Sequence, residues 1–198
     1  MMLKEETTVA SGTLPVAEFR AHLRLGTGFA DVGAEDAALE AYLRAALAAI
    51  EGRTAKVLLA RDFMLGLAAW RGAVEQPLPV SPVSAISEIR LVDAAGVFTT
   101  VPSESYRLIA DLQRPRIEAL SGVLPSIPAG GTVEIRFRAG FGPSWSDLPV
   151  DLAQAAFLLA AQYYELRHEG AGEGDAMPFG VAALIERWRT VRMLGGRG

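Results

Sequence analysis

The chain has no cysteine. That excludes a disulfide framework, thiol catalysis and cysteine-ligated metal centres, and it fits a reducing compartment. A basic excess is missing too: 19 Lys and Arg stand against 23 Asp and Glu, for a net charge of −4. Nucleic acid would find no chain-wide electrostatic footprint here. No apolar run is long enough to cross a bilayer, and the longest, around Ala155 to Ala161, is bounded by Gln154 and Gln162. The first residues, Met1-Met-Leu-Lys-Glu-Glu6, lack the apolar core of a signal peptide. The expectation is a soluble intracellular protein without membrane contact.

Reactive constellations are equally scarce. The two histidines, His22 and His168, both fall in helical patterns, where a surface or capping role is the plain reading. Glu165 and His168 have the Glu-x-x-His spacing of di-iron bundles, but such sites need two copies and further glutamates. Gly26-Thr-Gly28 opens like a dinucleotide fingerprint, yet Asp31 stands where the third glycine belongs and no βαβ unit surrounds it. The chain has no phosphate-binding loop of Gly-Lys-Ser/Thr type, no Gly-x-Ser-x-Gly elbow and no zinc-type ligand cluster. Glu35, Asp36, Glu40 and Glu51 read as a solvated helix face. No cofactor is expected. An enzyme using carboxylates such as Glu134 or Asp147 is one alternative class, but no nucleophile–base pair stands at a recognisable spacing.

What the chain does have is a segregated layout. Its 51% apolar, 8% aromatic and 21% charged residues suit a folded domain, and 198 residues suit one domain with a sizeable core. Nine of the eleven prolines lie between Pro77 and Pro149. Helices tolerate proline only in their first turn, so the proline-free stretches before and after are the helical ones. Residues 1 to 13 read as a loose arm. A short helix follows Pro15. Leu39, Leu43, Leu47, Ile50, Thr54 and Val57 recur at helical spacing and predict a long helix from about Ala34 to Leu59. Asp62 to Trp70 is apolar without a period, and helix and strand both stay open. Val83–Val92, Val97–Val101, Tyr106–Ile109, Arg116–Leu120 and Thr132–Arg138 read as strands of a small antiparallel meander. After Pro149 a second long helix carries Leu152, Ala155, Ala156, Leu159, Tyr163 and Leu166 on one face. Gly170–Gly174 reads as a hinge, and Pro178 to about Arg192 as a third helix.

The expected fold class is therefore α+β, mostly α: a bundle of long helices with a small antiparallel β-sheet inserted between them, then a C-terminal helix and tail. The parts of this single domain are a helical segment over 14–60, a β insertion over 61–140, a helical segment over 147–192 and a flexible tail over 193–198.

Two surfaces stand out. The second long helix is apolar nearly all round, with Phe157, Leu158, Ala161 and Tyr164 away from its main face. Such a helix needs cover on more than one side, and a neighbouring subunit can supply it. The C-terminal segment sets Arg187, Arg189, Arg192 and Arg197 against the single acid Glu186. One reading is a solvated face complementing the helix dipole. A sharper one is a docking element in which Trp188, Arg189, Arg192, Met193 and Leu194 act as interface anchors, since Trp and Arg are enriched at hot spots. DNA binding through the same arginines is the remaining alternative.

Three stretches, in order, carry a family resemblance. The first is Leu14-Pro-Val-Ala-Glu-Phe-Arg-Ala-His-Leu23. The second is the acidic helix start with Arg61-Asp-Phe63 and Leu78-Pro-Val-Ser-Pro-Val-Ser-Ala-Ile86. The third is Tyr106-Arg-Leu108, Arg136-Phe-Arg-Ala-Gly-Phe-Gly142, Leu148-Pro-Val-Asp-Leu152 and Tyr163-Tyr-Glu-Leu-Arg167. Together they resemble the head–tail connector (adaptor) proteins of long-tailed bacteriophages and gene transfer agents. The resemblance implies a homo-oligomeric ring, commonly twelve-fold, docked on the portal protein with its C-terminal helix and tail. It implies a tail-side stopper or terminator protein as the next partner, and DNA passing through the lumen without specific binding. It implies assembly in the host cytoplasm and a final place at the head–tail junction of the particle. No catalytic residue comes with it.

Overall fold

The computed structural model describes residues 1–25, 32–168 and 177–189. In chain order the elements are β1 (Met2–Glu5), α1 (Val16–His22), α2 (Val32–Thr54), β2 (Arg61–Leu67), β3 (Glu75–Pro77), β4 (Val83–Val92), β5 (Phe98–Thr100), β6 (Tyr106–Ile109), β7 (Arg116–Ala119), β8 (Thr132–Ala139), α3 (Val150–Glu165) and α4 (Phe179–Ile185). They group into two compact units. One comprises residues 1–9 and 59–144 and holds every described strand; the other comprises residues 10–58 and 145–198 and holds every described α-helix.

In the strand-built unit a five-stranded antiparallel sheet runs in the order β1-β2-β8-β4-β5, and a three-stranded sheet in the order β3-β7-β6. Side chains alternate across a strand, so one face of the larger sheet is apolar. Phe63, Leu65, Val133, Ile135, Phe137 and Ile89 form it, and all are buried. The opposite face carries charge in pairs. Arg136 reaches Glu6 at 3.3 Å, Glu134 at 3.3 Å and Glu88 at 3.7 Å, and Arg138 meets Asp62 at 3.4 Å. Directly after β8 the chain turns through Gly140, whose φ is 133°, beside Ala60, which precedes β2. A Cβ there would stand 2.4 Å from the Ala60 Cα, so only glycine fits.

In the helical unit α2 buries Leu39, Leu43, Ala46, Leu47 and Ile50 at the expected spacing. It stops at Thr54, earlier than its periodicity predicts. Ala55 turns into the left-handed region at φ 56°, the Thr54 hydroxyl donates to the Ile50 carbonyl at 2.8 Å, and a Glu51 carboxylate oxygen accepts from the Leu58 amide at 2.7 Å. Val57 and Leu58 are buried all the same, which is why they kept the apparent helical period going. α3 buries Leu152, Ala155, Ala156, Leu159 and Ala160 and packs against both α2 and α4.

The mostly helical bundle is overturned. Among the described residues 37% are helix and 27% strand, in four α-helices and eight strands of two sheets. Only α2, with 23 residues, and α3, with 16, are long; α1 and α4 have seven each. Nor is the sheet a meander, because β8 enters between β2 and β4. Three features hid the strands. Residues 2–5 are exposed at all four positions of an outer strand, so they show no apolar alternation and read as a loose arm. β2 lies between two strands and buries Met64 as well as the residues on either side, so its alternation is blurred. β3 is three residues long and ends in proline.

Candidate functional site

The residues singled out as surfaces all belong to α3 and the C-terminal segment. α4 begins after Pro178, where a missing N–H costs nothing. It continues into a single 3-10 turn, Glu186–Trp188. Val181, Ile185 and Trp188 are spaced to share one face, and all three are buried. Trp188, at 8% exposure, is thus an anchor within its own unit. Its indole Nε1 donates to Asp151 Oδ2 at 2.7 Å, and Arg187 Nε reaches the same oxygen at 2.7 Å. The Arg187 guanidinium lies 4.9 Å from the indole centroid, within cation–π range. Asp151 also sits in the first turn of α3, where a carboxylate complements the helix dipole. Nothing local in the sequence links Asp151 to Trp188, and only folding brings them together. Arg189 is exposed and pairs with Glu186 at 3.1 Å, a surface pair of little energetic weight. Arg192, Met193 and Leu194, the Gly170–Gly174 hinge and the 193–198 tail lie outside the described residues.

On α3, Phe157, Leu158, Ala161 and Tyr164 are all half-buried. Phe157 is already well supplied with neighbours. It stacks on Trp145 at 5.3 Å between centroids and meets Phe19 at 5.6 Å and His22 at 5.5 Å. Tyr164 meets Tyr42 edge-on at 6.0 Å, and the Arg167 guanidinium lies 3.8 Å from the Tyr164 ring centre. The aromatic cluster around Phe157 thus gathers residues from α1, α3 and the Trp145–Asp147 turn, which sequence spacing alone does not connect.

Among the described residues no group of His, Asp and Glu could hold a metal ion. His22 is taken up by the aromatic cluster. Glu134 faces Arg136 at 3.3 Å, and Asp147 is exposed. The side chain of His168 and the Gly26-Thr-Gly28 stretch lie outside the described residues. A surface cleft of about 270 Å³ in the strand-built unit is lined by apolar side chains such as Leu91, Val101 and Pro125 with Ser and Thr hydroxyls. No titratable side chain lines it. No described helix is long and apolar enough to cross a membrane.

No family model and no curated protein matches the chain. Solved structures do. The chain is 69% identical, over the full length of both chains and with a TM-score of 0.91, to a chain in the neck of an empty gene transfer agent (GTA) particle solved with C6 symmetry. This chain belongs to the GTA neck-protein family. Another family member, 69% identical over both full lengths with a TM-score of 0.88, is part of the virion of a native GTA particle. A third, 63% identical over both full lengths with a TM-score of 0.86, comes from the neck of a native GTA particle solved with C12 symmetry. These relatives are structural parts of a particle. The neck-family chain described here is accordingly a structural head–tail component and not an enzyme.

Proposed function

We propose that this protein is the head–tail adaptor of a GTA-type particle. Copies form a ring, twelve-fold in line with the C12 symmetry of a relative's neck, that docks beneath the portal protein and extends the DNA channel toward a tail-side stopper or terminator protein. The two compact units work as one adaptor. Assembly takes place in the host cytoplasm, and the finished ring stays at the head–tail junction. The observation that carries this reading is the full-length identity of 63–69% to chains from GTA necks solved with C6 and C12 symmetry.

Within this reading the C-terminal segment makes the portal contact. Trp188 fixes the base of the segment on α3 through Asp151, and Arg189, Arg192, Met193 and Leu194 reach the portal. Leu158, Ala161 and Tyr164 meet the neighbouring copy, with Phe157 supporting that face from beneath. DNA passes without specific binding. Arg187 and Arg189, two of the four arginines that a DNA-binding reading would need, are engaged by Asp151 and Glu186.

The test is negative-stain imaging of the protein mixed with the portal protein encoded in the same gene cluster. The expected result is a ring added to one end of the portal, lost when residues 190–198 are removed. A folded, monomeric protein that adds no density to the portal would overturn the adaptor reading.

A further inference from the structure

A head-to-tail ring needs two different patches on every copy, each meeting the other across a rotation. The five-stranded sheet offers such a pair in its outer strands. β1 and β5 end the strand order, and among the described residues neither has a strand on its outer side. The backbone groups along an outer edge are a ready template for another strand. All four residues of β1 and all three of β5 are exposed. Large apolar side chains collect at the same two edges. Met1 is 82% exposed, Met2 60% and Leu3 36%, while at the opposite edge Val97 is 65% and Phe98 53% exposed. These are five of the eleven exposed large hydrophobic side chains among the described residues, so the two edges hold nearly half of them.

Strand direction decides how such edges can meet. Every neighbouring pair in the sheet is antiparallel and the number of strands is five, so β1 and β5 point the same way. Rotation about an axis along the strands brings β1 of one copy beside β5 of another without reversing either, and the joint is a parallel ladder. The competing arrangement sets β1 against β1, or β5 against β5, about a two-fold axis; that ladder is antiparallel and stops at a dimer. The C6 and C12 symmetry of the relatives' necks favours the first.

We propose that β5 of one copy pairs with β1 of the next, so that the five-stranded sheets join edge to edge around the ring. This rests on the ring reading given above. The joint is weak by construction. β5 has only three residues, parallel pairing is the less stable kind, and Lys4 on β1 is the sort of charge that keeps an edge from pairing indiscriminately. Copies free in solution therefore stay apart, and the joint closes when the portal raises their effective concentration.

A cysteine-free chain makes the joint directly testable. Leu3→Cys is combined in turn with Phe98→Cys, Thr99→Cys and Thr100→Cys, which samples the registers a parallel joint can take. Neighbouring strands bring Cα atoms within disulfide range. Each double variant and each single variant is assembled on the portal, imaged, oxidised with copper–phenanthroline and run on a non-reducing gel. The expected result is a ladder of multimers above the dimer from at least one double variant, with the single variants monomeric. Rings that form without any ladder overturn the edge joint and leave the ring standing. Dimers from a single variant overturn it in favour of two-fold pairing. Failure of the unsubstituted protein to form rings overturns the ring reading and the joint with it.

Discussion

The two compact units are held together by different means. The strand-built unit separates its chemistry by face: Phe63, Leu65, Val133, Ile135 and Phe137 on one side of the sheet, and the ion pairs around Arg136 and Arg138 on the other. The helical unit relies on small residues. Ala46, Ala155, Ala156 and Ala160 are fully buried, which lets helices approach closely, and Leu39, Leu43, Ile50, Leu152, Phe19 and Trp188 fill the space around them. A surface ion pair contributes little to stability, whereas a fully buried side chain contributes several kcal/mol. Losing one anchor should therefore do more damage to the helical unit than losing one ion pair does to the sheet.

The strongest way to break this comparison is a matched pair of core truncations. Phe19→Ala and Phe137→Ala each remove a side chain with no exposure, and each should cost about 3–5 kcal/mol. Hydrogen exchange should lose protection in α1, α2 and α3 for the first and in the five-stranded sheet for the second. Equal loss in both units from either variant would show that the division does not govern stability.

A smaller effect sharpens the role of the Trp188 anchor. Asp151→Ala takes the acceptor from a buried indole N–H and should cost about 1–2 kcal/mol, with exchange in α4 rising first. Asp151→Asn keeps an acceptor and should recover much of the loss. If both variants behave alike, the hydrogen bond is not what holds α4 down.

The smallest effect is acid sensitivity, and it should differ between the units. In the sheet-bearing unit, Glu88 is held below its usual range foremost by its hydrogen bond to Arg90, and Asp111 by the backbone amides of Gln113 and Arg114. The helical unit has Glu40, lowered foremost by Arg44 and then by Ser11. A carboxylate with a depressed folded pKa adds stability above its unfolded value, about 4, and that stability is lost as pH falls through the folded value. Exchange protection should thus fall below about pH 4, and somewhat further in the sheet than in the helices. Protection unchanged down to about pH 3 would show that these pairs contribute nothing.

Legibility in the sequence follows how local the signal is, in both units. α2 and α3 could be read because their periodicity is local: Leu39, Leu43 and Ile50 announce a face within a few turns. The hairpin of β4 and β5 and the alternation of β8 could be read for the same reason. β1 could not, because its register with Phe63 to Gly66 is set by residues far along the chain and its own side chains all face solvent. The early end of α2 was hidden by Val57 and Leu58, which are buried for reasons unrelated to helical period. At the candidate docking segment, tryptophan beside arginines marked a place of importance. The helical spacing of Val181, Ile185 and Trp188 put the indole on an apolar face, but its partner Asp151, 37 residues away, could not be read.

The chain passes from one unit to the other three times, after Val9, Leu58 and Ser144. This has a consequence during synthesis. β1 leaves the ribosome well before β2 and must wait, unpaired, until β2 follows it. α1 and α2 emerge next, but their packing partner α3 comes only after the whole β region has been made. A chain cut short at Ser144 would hold every strand yet leave Leu39, Leu43 and Ile50 facing water, an aggregation-prone state of the kind chaperones and proteases clear. The helical unit therefore matures last, and what escapes clearance to reach assembly is the complete polypeptide.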